Sequence, residues 1–280
     1  MNDALIIVVF FYPSDEQIQN FKKLAYKYNI LVVDNTPEML TEEKAFNYIG
    51  LRENKGIAAA QNYGVKFAID KGFKYLVFFD QDSVIEENYL CNLVGEYERI
   101  KKIDNSIAVL GPVCIDRNSE QEYKNKLKSN QTINKVDAVI SSGSIVETNL
   151  YTIIGGMDES LFIDLVDFEW CWRAKKCGYS TYLSRNLKLY HSIGKEYHRL
   201  GPFVIGFSSN QRYYYQYRNT IWLIRRGYVP TIWKFKSFIR RMIDMVILTF
   251  LLKNKREFLS AVLRGIRDGF QKQSFTYHIN

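Results

Sequence analysis

The sequence predicts an α/β fold with a mostly parallel central sheet, helices on both faces, and a helical, basic carboxyl-terminal region. Three observations carry that expectation. Apolar runs of strand length alternate with stretches of helical period through the first hundred residues. The strand-like runs end on acids, Asp34 after Ile30–Val33 and then Asp80 and Asp82 after Tyr75–Phe79. The charge is also segregated. Residues 212–280 hold 14 Lys and Arg against three acids, so the formal +8 of the chain belongs to the tail.

At 280 residues and 47% hydrophobic, the chain can bury a large core as one or two domains. Its four cysteines, Cys91, Cys114, Cys171 and Cys177, show no metal-type pairing and fit a reducing compartment better than a disulfide scaffold. The apolar stretch Ala4–Tyr12 stops at Pro13, lacks a basic leader and is too short to span a bilayer, so a first strand is expected there.

Leu5–Phe11 is nearly continuous in apolar residues, as in a strand covered on both faces. A helix is expected from about Ser14, with Asp15 and Glu16 in its first turn and Ile18, Phe21, Leu24, Ala25 and Tyr28 along one face. Ile30–Val33 is the second strand, ending on Asp34-Asn35-Thr36-Pro37. Strand, helix and strand with a terminal acid outline a nucleotide-binding unit. No G-x-G-x-x-G follows the first strand, which disfavours a nicotinamide or flavin dinucleotide and leaves other nucleotides open. Asp34 could accept a base N–H or a ribose hydroxyl; an exposed turn acid is the plain alternative.

Asn54-Lys55-Gly56-Ile57-Ala58-Ala59-Ala60-Gln61-Asn62-Tyr63-Gly64 starts a helix with little side-chain bulk, open to close approach by backbone or ligand. Asn62 gains little in mid-helix, and Gly64 costs about 1 kcal/mol against alanine, so a packing or binding role is expected for both. That helix leads through Gly72 into Tyr75–Phe79, the central strand, whose carboxyl end opens into Asp80-Gln81-Asp82-Ser83. Ligands of open α/β sheets bind at that edge. One carboxylate can hold a magnesium or manganese ion on a diphosphate while its neighbour acts through water or a sugar hydroxyl. A solvated turn would carry the same letters.

Beyond it we expect a helix from Ser83 to about Lys101, a strand at Ile107–Val113, a long loop or lid over 114–135 and a strand at Val136–Ile140. Ser141-Ser142-Gly143-Ser144 marks either a tight turn or backbone lying close to a substrate. Gly155-Gly156 gives a flexible entry to Asp164-Leu165-Val166-Asp167-Phe168-Glu169-Trp170-Cys171-Trp172-Arg173. Asp167 and Glu169 fall in a first helical turn, where the dipole favours an ionised carboxylate and leaves Asp167 available as a base. Ordinary helix capping draws on the same physics. Two short strands follow Gly178, at Tyr179–Leu183 and Leu187–Tyr190, and then His191, a ligand, a phosphate contact or a strand edge.

In this order, Val33-Asp34-Asn35, the Asn54–Gly64 run, Phe79-Asp80-Gln81-Asp82-Ser83, the Gly155–Asp164 run, Asp167–Arg173 and His191 resemble the inverting glycosyltransferases of family 2 with the GT-A fold, over roughly residues 5–225. Within that family they look most like bacterial rhamnosyltransferases of surface-polysaccharide assembly. The resemblance implies a GT-A catalytic domain over 1–211, with a nucleotide-binding half to about 113 and an acceptor half from 114, followed by the tail at 212–280. It implies that Asp34 holds the base, Asp80 places the ribose or donor, Asp82 coordinates Mg2+ or Mn2+ on the diphosphate, and Asp167 deprotonates the acceptor hydroxyl. Asn54, Asn62, Gln81, Glu169, Trp170, Arg173 and Arg218 join as substrate-binding candidates and His191 as a metal candidate.

Asp-Gln-Asp and Glu-Trp at these positions are similar to users of dTDP-L-rhamnose, and the implied acceptor is a polyprenyl-diphosphate-linked glycan. A UDP-hexose donor is the alternative within the family. A nucleotidyltransferase would need a basic phosphate-cradling loop after the first strand, where Phe11-Tyr12-Pro13-Ser14-Asp15-Glu16 stands instead. A non-catalytic sugar-nucleotide-binding module would leave Asp167 idle.

The tail opens on Tyr213-Tyr214-Tyr215-Gln216-Tyr217-Arg218-Asn219 and continues with aromatics among Lys234, Lys236, Arg240 and Arg241. Met242–Leu252 is mostly apolar, but at 1.5 Å per residue it covers only about half of a bilayer core. An amphipathic helix on an anionic membrane surface fits tryptophans flanked by cations, and an oligomerisation helix is the alternative. Nucleic acid is disfavoured, since a phosphate backbone has no use for the apolar run. We therefore expect a protein peripheral to the cytoplasmic face of the membrane, with a homodimer as the other outcome.

Overall fold

The structure, a computed structural model, describes residues 3–38, 45–86, 88–116, 131–191, 197–200 and 203–271. The elements are β1 (Ala4–Phe10), α1 (Asp15–Ala25), β2 (Asn29–Asp34), β3 (Asn47–Gly50), α2 (Gly56–Lys71), β4 (Tyr75–Asp80), α3 (Tyr89–Ile103) and β5 (Ile107–Asp116). They continue with β6 (Ile133–Val136), β7 (Ile145–Glu147), α4 (Asn149–Ile154), a 3-10 turn (Glu159–Leu161), α5 (Val166–Lys176), β8 (Ser180–His191), β9 (Tyr197–Leu200), β10 (Phe203–Gly206), α6 (Asn210–Ile224), α7 (Thr231–Leu251) and α8 (Lys255–Phe270).

One sheet runs β3-β2-β1-β4-β7-β5-β8-β6, with β9 and β10 as a separate hairpin. Its first four strands are parallel, as expected. β7 then enters antiparallel between β4 and β5, β5 and β8 are parallel, and β6 closes the edge antiparallel to β8. Alternate residues of β1 feed two cores. Leu5 and Ile7 pack with Ala58, Tyr151 and Trp170 on one face, and Ile6, Val8 and Phe10 with Phe21, Leu93 and Tyr97 on the other. This double coverage explains a strand without polar alternation. α1 starts with a reciprocal cap between Ser14 and Gln17, as the sequence suggests. At Gly64 a Cβ would stand 2.6 Å from Cγ2 of Ile7, so the glycine is what lets α2 lie against β1.

The structure corrects several expected boundaries. The helix expected from Ser83 begins at Tyr89, because Val84 forms a bridge with Tyr190 and Ser83 binds the Ser142 hydroxyl instead of entering a helical turn. The strand expected at Val136–Ile140 lies at Ile133–Val136; Val139 is apolar because it packs into the core beside the sheet, without strand pairing. The two strands expected after Gly178 are one, β8. Its pairing with β5 slips at Pro112/Val113, where Ser184 and Lys188 are successive partners, and the proline has no N–H for a regular ladder. The expected loop over 114–135 gives up its ends to β5 and β6, and 117–130 lies outside the described residues. β3 and β7, four and three residues long, are too short to show a period and were not expected.

Candidate active site at the carboxyl edge of the sheet

Strand register sets the first acids. Asp34 is level with Phe10 on one side of β1 and Asp80 with Val9 on the other, so both arrive at the same edge, about 10 Å apart at two strand spacings. Asp34 is fully buried. Its Oδ1 accepts from the Thr36 N–H at 2.8 Å and its Oδ2 from the Tyr48 hydroxyl at 2.8 Å. It thus organises the turn after β2 from beneath, and is not the exposed turn acid of the alternative reading. Asn35 ties that turn to α2, accepting from the Lys55 N–H and donating to the Gly56 carbonyl. Asn54 is exposed and accepts from the Gly56 N–H at 3.0 Å, bracing the start of α2.

Asp80, Gln81 and Asp82 are half-buried at this edge. Gln81 is spent on the neighbouring loop, its Oε1 accepting from the Phe11 N–H at 2.7 Å. Ser142 joins this loop to the next, accepting from the Asp80 N–H at 3.2 Å and meeting the Ser83 hydroxyl at 2.9 Å. Ser141, beside it, donates its N–H to Oδ2 of Asp167 at 3.2 Å and has its own hydroxyl held by Gln61. The serine turn is therefore the bridge that brings the Asp80 loop to Asp167.

Asp167 sits in the first turn of α5, where the Phe168 N–H donates to its Oδ1 at 2.9 Å. The expected effect of the helix terminus is present but outweighed. Burial pushes the carboxyl up to about 6, helped by the charge of Asp80, while the N–H groups of Phe168 and Ser141 pull the other way. The outcome is a carboxylate that is ionised at neutral pH and more basic than a solvated one, a property suited to proton abstraction.

The turn before α5 is built by side chains from elsewhere in the chain. Phe162, Asp164 and Leu165 all lie at positive φ, a conformation costly for Phe162 and Leu165 and better tolerated by Asp164. The Phe162 carbonyl accepts from the Ile57 N–H at 2.8 Å at the start of α2, and a Cβ on Gly56 would come within 2.5 Å of that oxygen. From α6, the Asn219 amide donates to the carbonyls of Leu161, Ile163 and Asp164, and Arg218 donates to those of Ser160 and Leu161. The Tyr215 ring stacks on Phe162 at 4.6 Å, and Arg212 grips the Asp164 carboxylate through Nε and a terminal nitrogen.

Several expected substrate contacts are members of this framework. Asn62 donates to the Met157 carbonyl at 3.0 Å and accepts from the Met157 N–H at 2.7 Å, so its mid-helix position is a packing position. Glu169 is fully buried against Arg173, Arg226 and Tyr228. Arg173 spends its remaining donors on the Ile154 and Gly156 carbonyls, and the Trp170 indole donates to that of Gly155. Arg226 also pairs with the fully buried Asp158. Arg218 stacks on Tyr215 and Trp222. These groups are engaged with the protein and hold the wall of the site. His191 ends β8 next to the Tyr190 that bridges Val84, which brings its backbone near the Asp82 loop; its side chain lies outside the described residues.

No site role was expected for Arg212, Asp164, Asn219 or Arg226. Arg212 is half-exposed at the site, close enough to Asp80 for that charge to help hold its proton, after the dominant bond to Asp164. Among the described residues, no three His, Cys, Asp or Glu converge on one ion position. An ion bridging a diphosphate requires only one or two protein carboxylates, with phosphate and water completing the shell, and Asp80 and Asp82 fit that need.

Parallel strands ending on acids, with a serine bridge to a basic carboxylate, are the arrangement expected of a nucleotide-sugar-dependent transferase of the GT-A type, and the comparisons place the chain in that class. Residues 18–149 match the family described as Glycosyl transferase family 2. The chain is 32% identical over 260 residues to the dTDP-rhamnosyl transferase RfbF of Shigella flexneri, covering 86% of each protein. Its fold is similar to a crystal structure of GalNAc-T7 with UDP, GalNAc and Mn2+, at a TM-score of 0.53 and 14% identity, over 94% of this chain and 57% of that one. The chain belongs to glycosyltransferase family 2.

Proposed function

We propose that the protein transfers L-rhamnose from dTDP-L-rhamnose to a polyprenyl-diphosphate-linked glycan, with inversion at the anomeric carbon. The observation that supports the transfer chemistry is the Ser141-Ser142 bridge, whose adjacent residues bond the Asp80 backbone and the Asp167 carboxylate and so bring the two acids to one place. The donor identity draws its support from the relative named as a dTDP-rhamnosyl transferase, similar over most of both chains.

Asp167 takes the proton of the acceptor hydroxyl; the oxygen then bonds to the anomeric carbon as the bond to the diphosphate oxygen breaks. Its carboxyl, raised to about 6, is largely ionised at pH 7 yet retains useful basicity. Asp82 would hold Mg2+ or Mn2+, which supplies charge neutralisation to the departing diphosphate, and Asp80 would place the ribose or donor. Arg212, paired with Asp164 and within reach of the Asp80 charge, supplies a cation for the donor diphosphate, and Asp34 shapes the base end through Thr36 and Tyr48. A lipid-linked acceptor places the work at a membrane surface. The four cysteines, all free thiols, favour its cytoplasmic face.

The test is a panel of sugar nucleotides with a lipid-linked acceptor, read by released nucleoside diphosphate. We expect dTDP-L-rhamnose to be preferred and EDTA to suppress turnover. Preference for a UDP-hexose would keep the family and discard the rhamnose assignment.

A further inference from the structure

The face that α7 turns to solvent is its apolar one. Ile232, Phe235, Ile239, Met242, Val246 and Phe250 recur at helical spacing along one stripe and range from 40% to 76% exposed. The opposite side makes the contact with the protein: Leu248 enters the cluster of Tyr213, Tyr217 and Phe258, and Trp233 packs on Trp172 at 4.7 Å. The helix acid, Asp244, is buried on that inner side and paired with Arg240 and Arg241. An ordinary surface helix buries its apolar stripe and exposes its charges; here the stripe is exposed.

The cations say what covers it. By helical position, Lys236 and Arg240 flank one edge of the stripe and Lys234 lies toward the other, while Arg241 turns inward to Asp244 and Gln216, and Lys253, Lys255 and Arg256 follow at the helix end. A second copy docked face to face would oppose these edges to identical ones, with no exposed acid on the helix to match them. An anionic bilayer supplies both halves of the complement, acyl chains for the stripe and headgroups for the cations. The helix has 21 residues, about 31 Å at 1.5 Å per residue. It is not apolar enough to cross a membrane, and its single exposed stripe suits lying in the interface.

We propose that α7 is the surface through which the protein lies on an anionic lipid bilayer, with its outer stripe among the acyl chains and Lys234, Lys236 and Arg240 at headgroup level. The inference rests on the reading above for its purpose only. Vesicle binding is measured without donor or acceptor, so it can fail while transfer succeeds, and the reverse.

The test is sedimentation of the full-length protein with phosphatidylglycerol–phosphatidylcholine vesicles, against phosphatidylcholine alone. We expect at least about tenfold tighter binding to the anionic vesicles. Phe235→Glu/Val246→Glu/Phe250→Glu replaces exposed side chains and should keep the circular dichroism spectrum and melting temperature while weakening binding about a hundredfold. Lys234→Gln/Lys236→Gln should weaken it about tenfold, a difference that high salt removes. Failure of the wild-type protein to bind anionic vesicles overturns the proposal, as does undiminished binding by the folded triple variant. So does a wild-type dimer, seen by light scattering, that the triple variant turns into a monomer while neither binds vesicles.

Discussion

The two sides of the candidate site are built in opposite ways. On the β1–β4 side, strand register alone delivers Asp34 and Asp80, through backbone ladders repeated over six residue pairs on each flank of β1. On the α5 side, the backbone from Ser160 to Leu165 follows a course that Phe162 and Leu165 disfavour, and single side chains hold it: Arg218 and Asn219 directly, Arg226 through Asp158. The first construction is redundant, since no one side chain sets the position of either acid. The second concentrates its energy in a few buried polar groups, each of which costs its partners dearly when removed. In the proposed mechanism, nucleotide binding needs a stable platform, whereas a general base needs a particular carboxyl in a particular environment.

The sharpest way to separate the two sides is Asp167→Asn. It keeps the shape and removes the basicity, so turnover should fall about 10²–10⁴-fold while calorimetry shows donor binding retained on the strand side. Loss of donor affinity with normal turnover per bound donor would make Asp167 a binding residue. The pH profile carries the same contrast. In the wild-type protein kcat/KM should rise with pH through about 6 and then level off, because only the ionised carboxylate can accept the proton. The sign for stability is the reverse. A carboxyl whose folded pKa is raised favours the fold below its unfolded pKa, and that contribution is lost as pH climbs through 6. Asp167→Asn should therefore be at least as stable as the wild type above pH 6, which the proposed role of Asp167 requires of a group placed for chemistry against the interest of folding.

Redundancy is tested next by matched core changes. Arg226→Ala leaves Asp158 and Glu169, both without solvent exposure, short of a cation, and should cost about 3–5 kcal/mol in denaturant unfolding. Ile7→Val in β1 should cost only about 0.5–1.5 kcal/mol. Equal costs would mean that the Arg226 network relaxes and the α5 side is no more dependent on single residues than the sheet.

This difference also decides what could be read from the sequence. The strand side was legible because its physics is local: apolar runs of strand length, a reciprocal cap at Ser14 and acids where β2 and β4 stop. The place of Asp167 in the first turn of α5 was legible for the same reason, the helix having a clear start in sequence. The clamp was not. Asn219 and Arg226 act 50 or more residues away from the groups they hold, at positions where neither composition nor period distinguishes them from the surrounding basic tail. Glu169, Trp170 and Arg173 drew attention as a cluster of functional residue types, but clustering does not say which way side chains point. They face the backbone of residues 154–156 and Arg226. The tail reads as uniformly basic in sequence, yet α6 serves the site and α7 turns an apolar stripe outward, a distinction that only packing reveals.

Arg212 tests where the two sides meet, and the smallest stability effect is expected there. Its pair with Asp164 is well formed, but half of the arginine side chain is exposed, and solvent screening keeps such a pair below about 1 kcal/mol. Arg212→Gln should barely move the melting temperature, unlike Arg226→Ala. The charge of Asp80 also reaches Arg212, so the guanidinium stands between the strand-borne acids and the clamped turn. A cation there can exchange part of its bond to Asp164 for an oxygen of the incoming diphosphate, a charge-assisted contact whose loss should raise the donor KM about tenfold. Arg212→Lys keeps the charge but loses the fork, and should recover part of that KM without restoring the two-pronged grip on Asp164. If Arg212→Gln instead leaves KM unchanged and lowers the melting temperature as much as Arg226→Ala, then Arg212 is one more clamp residue. The boundary between the two sides would then lie at Asp80 itself.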